Sequence, residues 1–133
     1  MTTHAIRAAL KLTVVAGIVA GMSCDHFTGP KGPTSGVLRV TLTTPNADDG
    51  AILFVVSGGT IDSVTTTDAT MQMMASQATP KMILVRGTLA SGVIARVWVA
   101  NVNATHSASV LQVAANATYA QRATTGYSVV IAP

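Results

Sequence analysis

After its first 35 residues, the chain alternates between apolar and polar residues with the period of two that is typical of β-strands. Gly36–Thr44 is the clearest case, because Leu38, Val40 and Leu42 share one face and the other face is mainly polar. The next run, Ala51–Val56, is apolar on both faces. The pattern predicts a half-buried strand followed by a central strand.

The segment between these two strands, Pro45–Gly50, has the composition of a turn. Proline fixes its own φ, Asn and Asp bond locally to the backbone, and glycine permits a positive φ. We therefore expect the two strands to form a hairpin. The Thr-rich stretch Ile61–Thr67 and the Met-rich stretch Thr70–Ser76 alternate less clearly, so they predict short or edge strands.

The second half of the chain continues this pattern. Further strands are predicted at Met82–Arg86, Val93–Ala100, Ala108–Ala114 and Gly126–Ile131. Arg96 and Trp98 are expected on the face opposite to Val93, Ala95, Val97 and Val99. Residues 115–125 are predicted to form a loop or a short helical turn. Some seven or eight strands with few helix signals predict an all-β fold, an immunoglobulin-like two-sheet sandwich of antiparallel strands.

The first 23 residues are of a different kind, because a basic lead with Arg7 and Lys11 precedes the apolar run Leu12–Met22. As a helix this run would rise about 16 Å, roughly half of the hydrocarbon core of a bilayer. A basic lead, a short apolar run and small residues before a cleavage point are the parts of a secretory signal peptide. We therefore predict a signal helix over residues 1–23 that is removed on export.

The signal ends on the only cysteine of the chain. Its last residues, Gly21-Met22-Ser23-Cys24, resemble the lipobox of bacterial lipoproteins, in which the cysteine receives the lipid. The resemblance implies palmitate on Cys24 and a membrane-anchored protein of the cell envelope that faces the periplasm or the cell exterior. Gly21 and Ser23 also suit an ordinary signal peptidase, so secretion is the alternative.

Residues 24–35 separate the cysteine from the first strand. They are polar, rich in Gly and Pro and without hydrophobic periodicity, as flexible tethers are. A tether at this place lets an anchored domain stand clear of a membrane. The predicted organisation is a signal peptide over 1–23, a tether over 24–35 and one β-sandwich domain over 36–133.

Three segments of this domain support the same architecture. Gly36–Val40, the turn Pro45–Gly50 with Ala51–Val55, and Gly87–Trp98 resemble strands of cohesin-like and other immunoglobulin-like domains of bacterial surface proteins. The similarity covers most of residues 36–131. It implies a β-sandwich domain.

The charge of the chain changes when the signal is removed. Without Arg7 and Lys11, six Lys or Arg remain against five Asp, so the formal charge falls from +3 to +1. No run of basic residues remains and aromatic residues are few, so nucleic-acid binding is not expected. With a single cysteine, no internal disulfide can form.

One short segment, Ser57–Ile61, resembles the strand-exit motif of bacterial asparaginases, in which the threonine, here Thr60, is the nucleophile. A nucleophilic hydroxyl needs a positioned base and an oxyanion site, so Thr60 would have to cluster with His106 and an aspartate. The second motif of that family is absent, and the chain is too short for that fold. We expect a glycine turn here and no enzymatic activity.

Two sets of residues offer ligands to a metal ion. Asn46, Asp48 and Asp49 carry oxygens for calcium, but a solvated turn is the stronger interpretation because no Glu completes the site. Methionine thioethers suit a cuprous ion. The methionines in question are Met71, Met73, Met74 and Met82. We expect them to fill the core instead, and we expect no metal site and no cofactor.

These patterns together predict a non-enzymatic, lipid-anchored cell-envelope protein with a β-sandwich interaction or structural module. Its partners would be the membrane, through lipid on Cys24, and an envelope protein. A periplasmic small-ligand or metal-binding protein is the alternative. The sequons at Asn103 and Asn116 indicate surface loops, and His26 lies in the predicted tether.

Overall fold

The structure, a computed structural model, describes residues 32–133. The predicted signal peptide, Cys24 and most of the predicted tether lie outside the described residues. Residues 32–133 contain no helix and therefore no helix that could cross a membrane. Their strands are β1 (Gly36–Thr43), β2 (Asp49–Ser57), β3 (Ile61–Thr66), β4 (Gln72–Ala75), β5 (Lys81–Leu89), β6 (Gly92–Val99), β7 (Ser107–Ala115), β8 (Gln121–Arg122) and β9 (Ser128–Ala132).

The strands form two antiparallel sheets that pack against each other around one core. One sheet has four strands in the order β3-β6-β1-β9, and the other has five in the order β4-β5-β2-β7-β8. The predicted all-β, two-sheet sandwich is therefore confirmed. The two weakly patterned segments are edge strands, as predicted, because β3 and β4 each end a sheet.

The core consists of the inward side chains of both sheets. In β1, Leu38, Val40 and Leu42 are buried, as their alternation predicts. The five-stranded sheet contributes Ile52, Phe54, Val56, Ile83, Val85 and Val113. Burying one aliphatic or aromatic side chain stabilises a fold by roughly 1.5–3 kcal/mol, so this layer is the main source of stability.

The predicted hairpin between the first two strands is wrong. β1 pairs with β6 and β9, whereas β2 pairs with β5 and β7 in the other sheet. The turn Pro45–Gly50 therefore crosses between the sheets. Alternation indicates which side of a strand is apolar, but it does not specify the hydrogen-bonded neighbour. A turn composition alone cannot distinguish a hairpin from a crossover.

A second correction concerns β6. Ile94 and Ala95 are both buried, and Val93 is exposed instead of sharing the inward face of Ala95. The register shifts between Val40 and Thr41 of β1, so that Thr41 lies opposite Val93 while Val40 lies opposite Ala95. This bulge adds one residue to β6 and reverses the direction of the side chains before it.

The segment 115–125, predicted as a loop or helical turn, contains the short strand β8. Arg122 lies opposite Val113 of β7, and Gln121 lies opposite Ala114. Two residues are too few to give a periodic signal in the sequence. This strand matters because it positions Arg122 at the edge of the five-stranded sheet.

Candidate functional site

A buried carboxylate, Asp49, lies at the start of β2 with 0% of its surface exposed. It accepts hydrogen bonds from Arg122 Nη1 at 2.6 Å, from the Tyr127 hydroxyl at 2.8 Å and from the Thr44 hydroxyl. Arg122 belongs to β8, Tyr127 comes just before β9, and Thr44 comes just after β1. We define the Asp49 cluster as Thr44, Asn46, Asp48, Asp49, Arg122 and Tyr127.

Arg122 joins the two neighbouring aspartates of this cluster. Its Nη2 lies 2.9 Å from both carboxylate oxygens of Asp48, while its Nη1 bonds to Asp49. The bond to Asp48, and after it the contact with Tyr127, raises the pKa of Arg122 above its ordinary value. A buried carboxylate is tolerated when it is paired and hydrogen-bonded in this way. The cluster therefore fastens β8 to the crossover between the sheets.

The cluster contains all three residues that the sequence offered to calcium. The solvated turn predicted for them is correct for Asp48, whose side chain is 70% exposed, and wrong for the buried Asp49. Asn46 Nδ2 donates to the Tyr127 hydroxyl at 2.7 Å, and both aspartates accept from Arg122. Across residues 32–133, no group of three or more His, Cys, Asp or Glu is arranged to hold a metal ion.

Gly58 and Gly59 form the turn that the sequence predicts. Their φ values are 96° and 62°, in the region that favours glycine. A Cβ added at Gly58 would lie 2.0 Å from the carbonyl oxygen of Thr105, so only glycine fits there. The resemblance to a strand-exit catalytic motif thus coincides with a turn that packs against the loop before β7.

Thr60 follows this turn and lines a polar groove of about 310 Å³ together with Asp62 and Lys81. His106 lies outside the lining of the groove, with its Nε2 2.9 Å from the carbonyl oxygen of Asn101. No hydrogen bond joins Thr60 to His106 in the part of the chain that the structure describes. The His106 ring packs against Gly59, where an added Cβ would lie 3.0 Å from its Cε1, while Thr60 shares the groove with Asp62 and Lys81.

The four methionines divide between the two sides of the five-stranded sheet. Met71 and Met73 pack against the core, as predicted. Met74 and Met82 are 70% and 44% exposed, so the prediction that they fill the core is wrong for these two. The thioethers are therefore separated by the sheet and do not form one soft-metal site.

The outer face of the five-stranded sheet has an apolar centre, and we call it the apolar face. Its apolar side chains are Ala51, Leu53, Val55, Met74, Met82 and Leu84, with Tyr119 at one side. The polar side chains of Gln72, Arg86, Ser109 and Gln112 border them on the same face. The register places Leu84 between Leu53 and Met74, and it places Met82 beside Val55. The apolar surface is therefore continuous across β2, β5 and β4.

A shallow groove of about 340 Å³ runs over this face and is lined in part by Leu53, Leu84 and Tyr119. Arg86 holds the tyrosine, because its Nη2 lies 3.3 Å from the phenol oxygen and its guanidinium carbon lies 5.4 Å from the ring centroid. Arg86 itself lies opposite Ala51 across the β5–β2 pairing. An apolar centre beside a polar rim is the usual anatomy of a protein interface.

The outer face of the four-stranded sheet is mainly polar, and we call it the polar face. Its side chains include Val37, Arg39, Thr41, Ser63, Thr65, Arg96, Trp98 and Val130. Arg96 and Trp98 lie here as the sequence predicts. Hydroxyl and guanidinium groups thus share this face with the exposed side chains of Val37, Val93 and Val130.

Sequence reasoning missed two features of these sites. Arg122 and Tyr127 lie 73 and 78 residues from Asp49, so no local pattern connects them. The sequence does contain a signal for the apolar face, because Ala51–Val56 is apolar on both sides and such a strand is typically buried on both sides. The sequon residues Asn103 and Asn116 are exposed in loops, as predicted.

Comparison with known proteins adds no functional assignment to this geometry. No family model matches the chain, and no curated protein or solved structure shows a significant match to it. Its function is therefore inferred from the two faces, the groove and the Asp49 cluster.

Proposed function

We propose that this protein is a non-enzymatic, lipid-anchored component of the cell envelope whose β-sandwich is an interaction module. Its docking surface is the apolar face, and the occupant is the same face of a second copy of the chain. Lipid on Cys24 holds the module at the membrane, and residues 24–35 form its tether. The observation that carries this proposal is the continuous apolar surface on the outside of the five-stranded sheet.

The size of this surface supports a docking role. The face lies on β2 and β5, which have nine residues each, and on β4, which has four. With strands ~4.8 Å apart and a rise of ~3.4 Å per residue, these three strands cover about 360 Å². Monomeric soluble domains rarely expose continuous apolar patches larger than a few hundred Å². The face is therefore about as large as the largest apolar patch of a typical monomer, and such patches are often functional.

The chemistry of the face supports a second copy as its cover. Two copies stacked through this face would bury about 700 Å² in total, which is the size of a weak, reversible contact. Leu53, Val55 and Leu84 at its centre are uncharged, so two such centres meet without burying like charges. Sheets packed face to face in this way repeat the geometry that already forms the core.

The attachment of the tether leaves the apolar face free. β1 belongs to the four-stranded sheet, and just before it the Thr34 carbonyl oxygen accepts a hydrogen bond from the Val102 amide at 2.8 Å. The chain therefore enters the domain through the sheet that does not carry the apolar face. Two copies tethered to one membrane can then pair through that face.

Sedimentation equilibrium of the purified chain tests the docking surface. We expect a monomer–dimer equilibrium, a shift to monomer for Leu84→Lys, and an unchanged equilibrium for the control Val130→Lys on the polar face. A wild-type chain that stays monomeric at about 0.2 mM would contradict the proposal. So would a different envelope protein that occupies this face while the chain itself does not associate.

Radiolabelled palmitate tests the anchor separately. We expect labelling of the wild-type chain, loss of the label in Cys24→Ala, and full labelling of the control Ser35→Ala. Label that persists in Cys24→Ala would remove the lipid from the proposal while leaving the docking surface standing.

A periplasmic small-ligand or metal binder is the second candidate, favoured by the polar groove of Thr60, Asp62 and Lys81. The Lys81 amine donates to the Ser76 carbonyl oxygen at 2.9 Å, so it lies fixed beside the groove. Calorimetric titration with calcium and with cuprous ion tests the metal form. Saturable heat that is lost in Asp62→Asn supports this candidate, and the absence of heat removes it.

A further inference from the structure

The polar face contains two arginines directly opposite each other. The register of β1 and β6 pairs Arg39 with Arg96, and both residues are exposed. Side chains paired in this way have Cβ atoms roughly 4.5–5.5 Å apart, and like charges there are unfavourable. Thr65 and Ala132 complete the row across the sheet, so no acid lies in it.

No carboxylate of residues 32–133 lies within ion-pair distance of either guanidinium. Asp48 and Asp49 are paired with Arg122. Asp68 accepts hydrogen bonds from the amide and hydroxyl of Thr70. Asp62 of β3 is exposed, and it forms no ion pair with either arginine. The pair is therefore a local positive charge without an ion-pair partner among residues 32–133.

The next row of the same face carries the single tryptophan of the chain. Trp98 lies opposite Val37 of β1 and Ser63 of β3, one row along from the arginine pair and 37% exposed. Two residues along a strand cover about 6.8 Å, which is the scale of one sugar ring. The hydroxyl groups of Ser63 and Thr65 flank the tryptophan and the arginines on the β3 side.

We propose that the polar face binds an acidic polysaccharide. The guanidinium groups of Arg39 and Arg96 take the carboxylates of uronate sugars, because a planar fork of donors matches a carboxylate in two-point contact. Trp98 stacks on the apolar face of a neighbouring sugar ring, as amphipathic aromatic rings do at binding surfaces. The threonine and serine hydroxyls bond to sugar hydroxyls.

This ligand fits the face better than other polyanions. Nucleic-acid binders neutralise many phosphates, whereas the polar face offers two cations and one aromatic ring. Attachment to an anionic membrane surface through basic residues uses clusters of four or more of them, and this face has two arginines. A flat row of hydroxyls, two guanidinium forks and one indole suits a chain that presents hydroxyl groups and carboxylates together.

The test is calorimetric titration of the full exported chain with an oligogalacturonate of about eight sugars at low ionic strength. We expect saturable binding that weakens at least tenfold in the double variant Arg39→Gln/Arg96→Gln. Trp98→Ala should also weaken binding, and Trp98→Tyr should largely restore it. The control Arg86→Gln, which removes one positive charge from the opposite sheet, should bind as the wild type does, whereas Arg39→Gln alone should bind more weakly.

The fully methyl-esterified oligomer, which keeps the sugars and loses the carboxylates, should bind at least tenfold more weakly. Equal binding of both oligomers, or equal binding by the double variant, would overturn the proposal. Binding to phosphatidylglycerol vesicles without binding to the oligogalacturonate would also overturn it. Leu84→Lys, which removes dimerisation, should bind the oligomer with unchanged affinity per chain. A failure of the proposed dimer can therefore be distinguished from a failure of the proposed polysaccharide site.

Discussion

The two outer faces of this sandwich are built by the same alternation and have opposite chemistry. In β1, every second residue points outward as Val37, Arg39, Thr41 or Thr43. In β2, the corresponding outward positions begin with Ala51, Leu53 and Val55. The inward side chains of both strands pack in the same core, so the core does not explain why their outward side chains differ.

This difference shows that the two alternating sets of residues in a strand report on two environments, the core on one side and the outer face of the sheet on the other. An antiparallel sheet with one face in water normally carries polar residues on that face. The four-stranded sheet obeys this rule over much of its outer face, whereas Leu53, Val55 and Leu84 form an apolar centre on the outer face of the five-stranded sheet. The simplest physical reason for an aliphatic outer face is a second protein surface that covers it, and the following predictions test this contrast.

The largest effect is expected where the chain passes from one sheet to the other. Asp49→Ala leaves the guanidinium of Arg122 without its buried partner and removes the acceptor of Tyr127. Arg122 keeps its contact with Asp48, so the loss comes mainly from the donors that no longer have an acceptor, and it lowers the free energy of unfolding by about 1–3 kcal/mol. Urea denaturation measures the loss. The control Asp62→Ala, at an exposed carboxylate, should change the free energy of unfolding by less than about 0.5 kcal/mol. A similar loss in both variants would show that the Asp49 cluster does not stabilise the fold.

The next effect separates the two faces by their association. Leu53→Lys should raise the dimer dissociation constant at least tenfold, equivalent to about 1.4 kcal/mol, because a charge enters the centre of the apolar face. Thr41→Lys on the polar face should leave it unchanged. Calorimetric dilution measures both constants. Equal weakening by the two lysines would show that the faces do not differ in the way proposed.

A smaller effect is expected from the arginine pair of the polar face. Arg96→Thr removes a like charge from its position opposite Arg39, and thermal unfolding should show a gain of about 0.5 kcal/mol in the free protein. Added salt should narrow the difference, since the repulsion is exposed and screened. A loss of stability in Arg96→Thr at low salt would mean that the two guanidinium groups do not repel each other.

The smallest effect concerns Asp68, which follows β3 at the edge of the polar face. The amide of Thr70, and then its hydroxyl, lowers the pKa of Asp68 below its ordinary value of 3.8. A lowered pKa stabilises the fold above pH 3.8, and this contribution disappears as the pH falls through the folded-state pKa. Melting temperatures between pH 5 and pH 2 should therefore fall less in Asp68→Asn than in the wild type. Parallel pH profiles would mean that this acid is not engaged by Thr70.

The sequence predicts the strands and the sandwich because both depend on local patterns. Gly36–Thr44 and Gly126–Ile131 each occur as a strand within two residues of their predicted ends, and the inward face of each is as expected. The hairpin was wrong because strand pairing depends on contacts between distant segments. The two-residue β8 is too short for any periodic signal.

The candidate sites were less predictable for related reasons. The acids of the Asp49 cluster stand together in the sequence, but their partner Arg122 is 73 residues away from Asp49. The bulge in β6 turns the side chain of Val93 outward, and nothing in the sequence indicates where the bulge occurs. The exposure of Met74 and Met82 follows from which side of β4 and β5 faces the core, and methionine suits either side.

Hydroxyl-radical footprinting at increasing protein concentration tests the central claim most directly, because it reads both faces in one sample. Met74 reports on the apolar face, and Trp98 reports on the polar face. We predict that the oxidation rate of Met74 falls severalfold as the chain associates, while the rate of Trp98 stays constant. A Met74 rate that does not change with concentration, or a fall at Trp98 instead, would contradict the assignment of the apolar face as the docking surface.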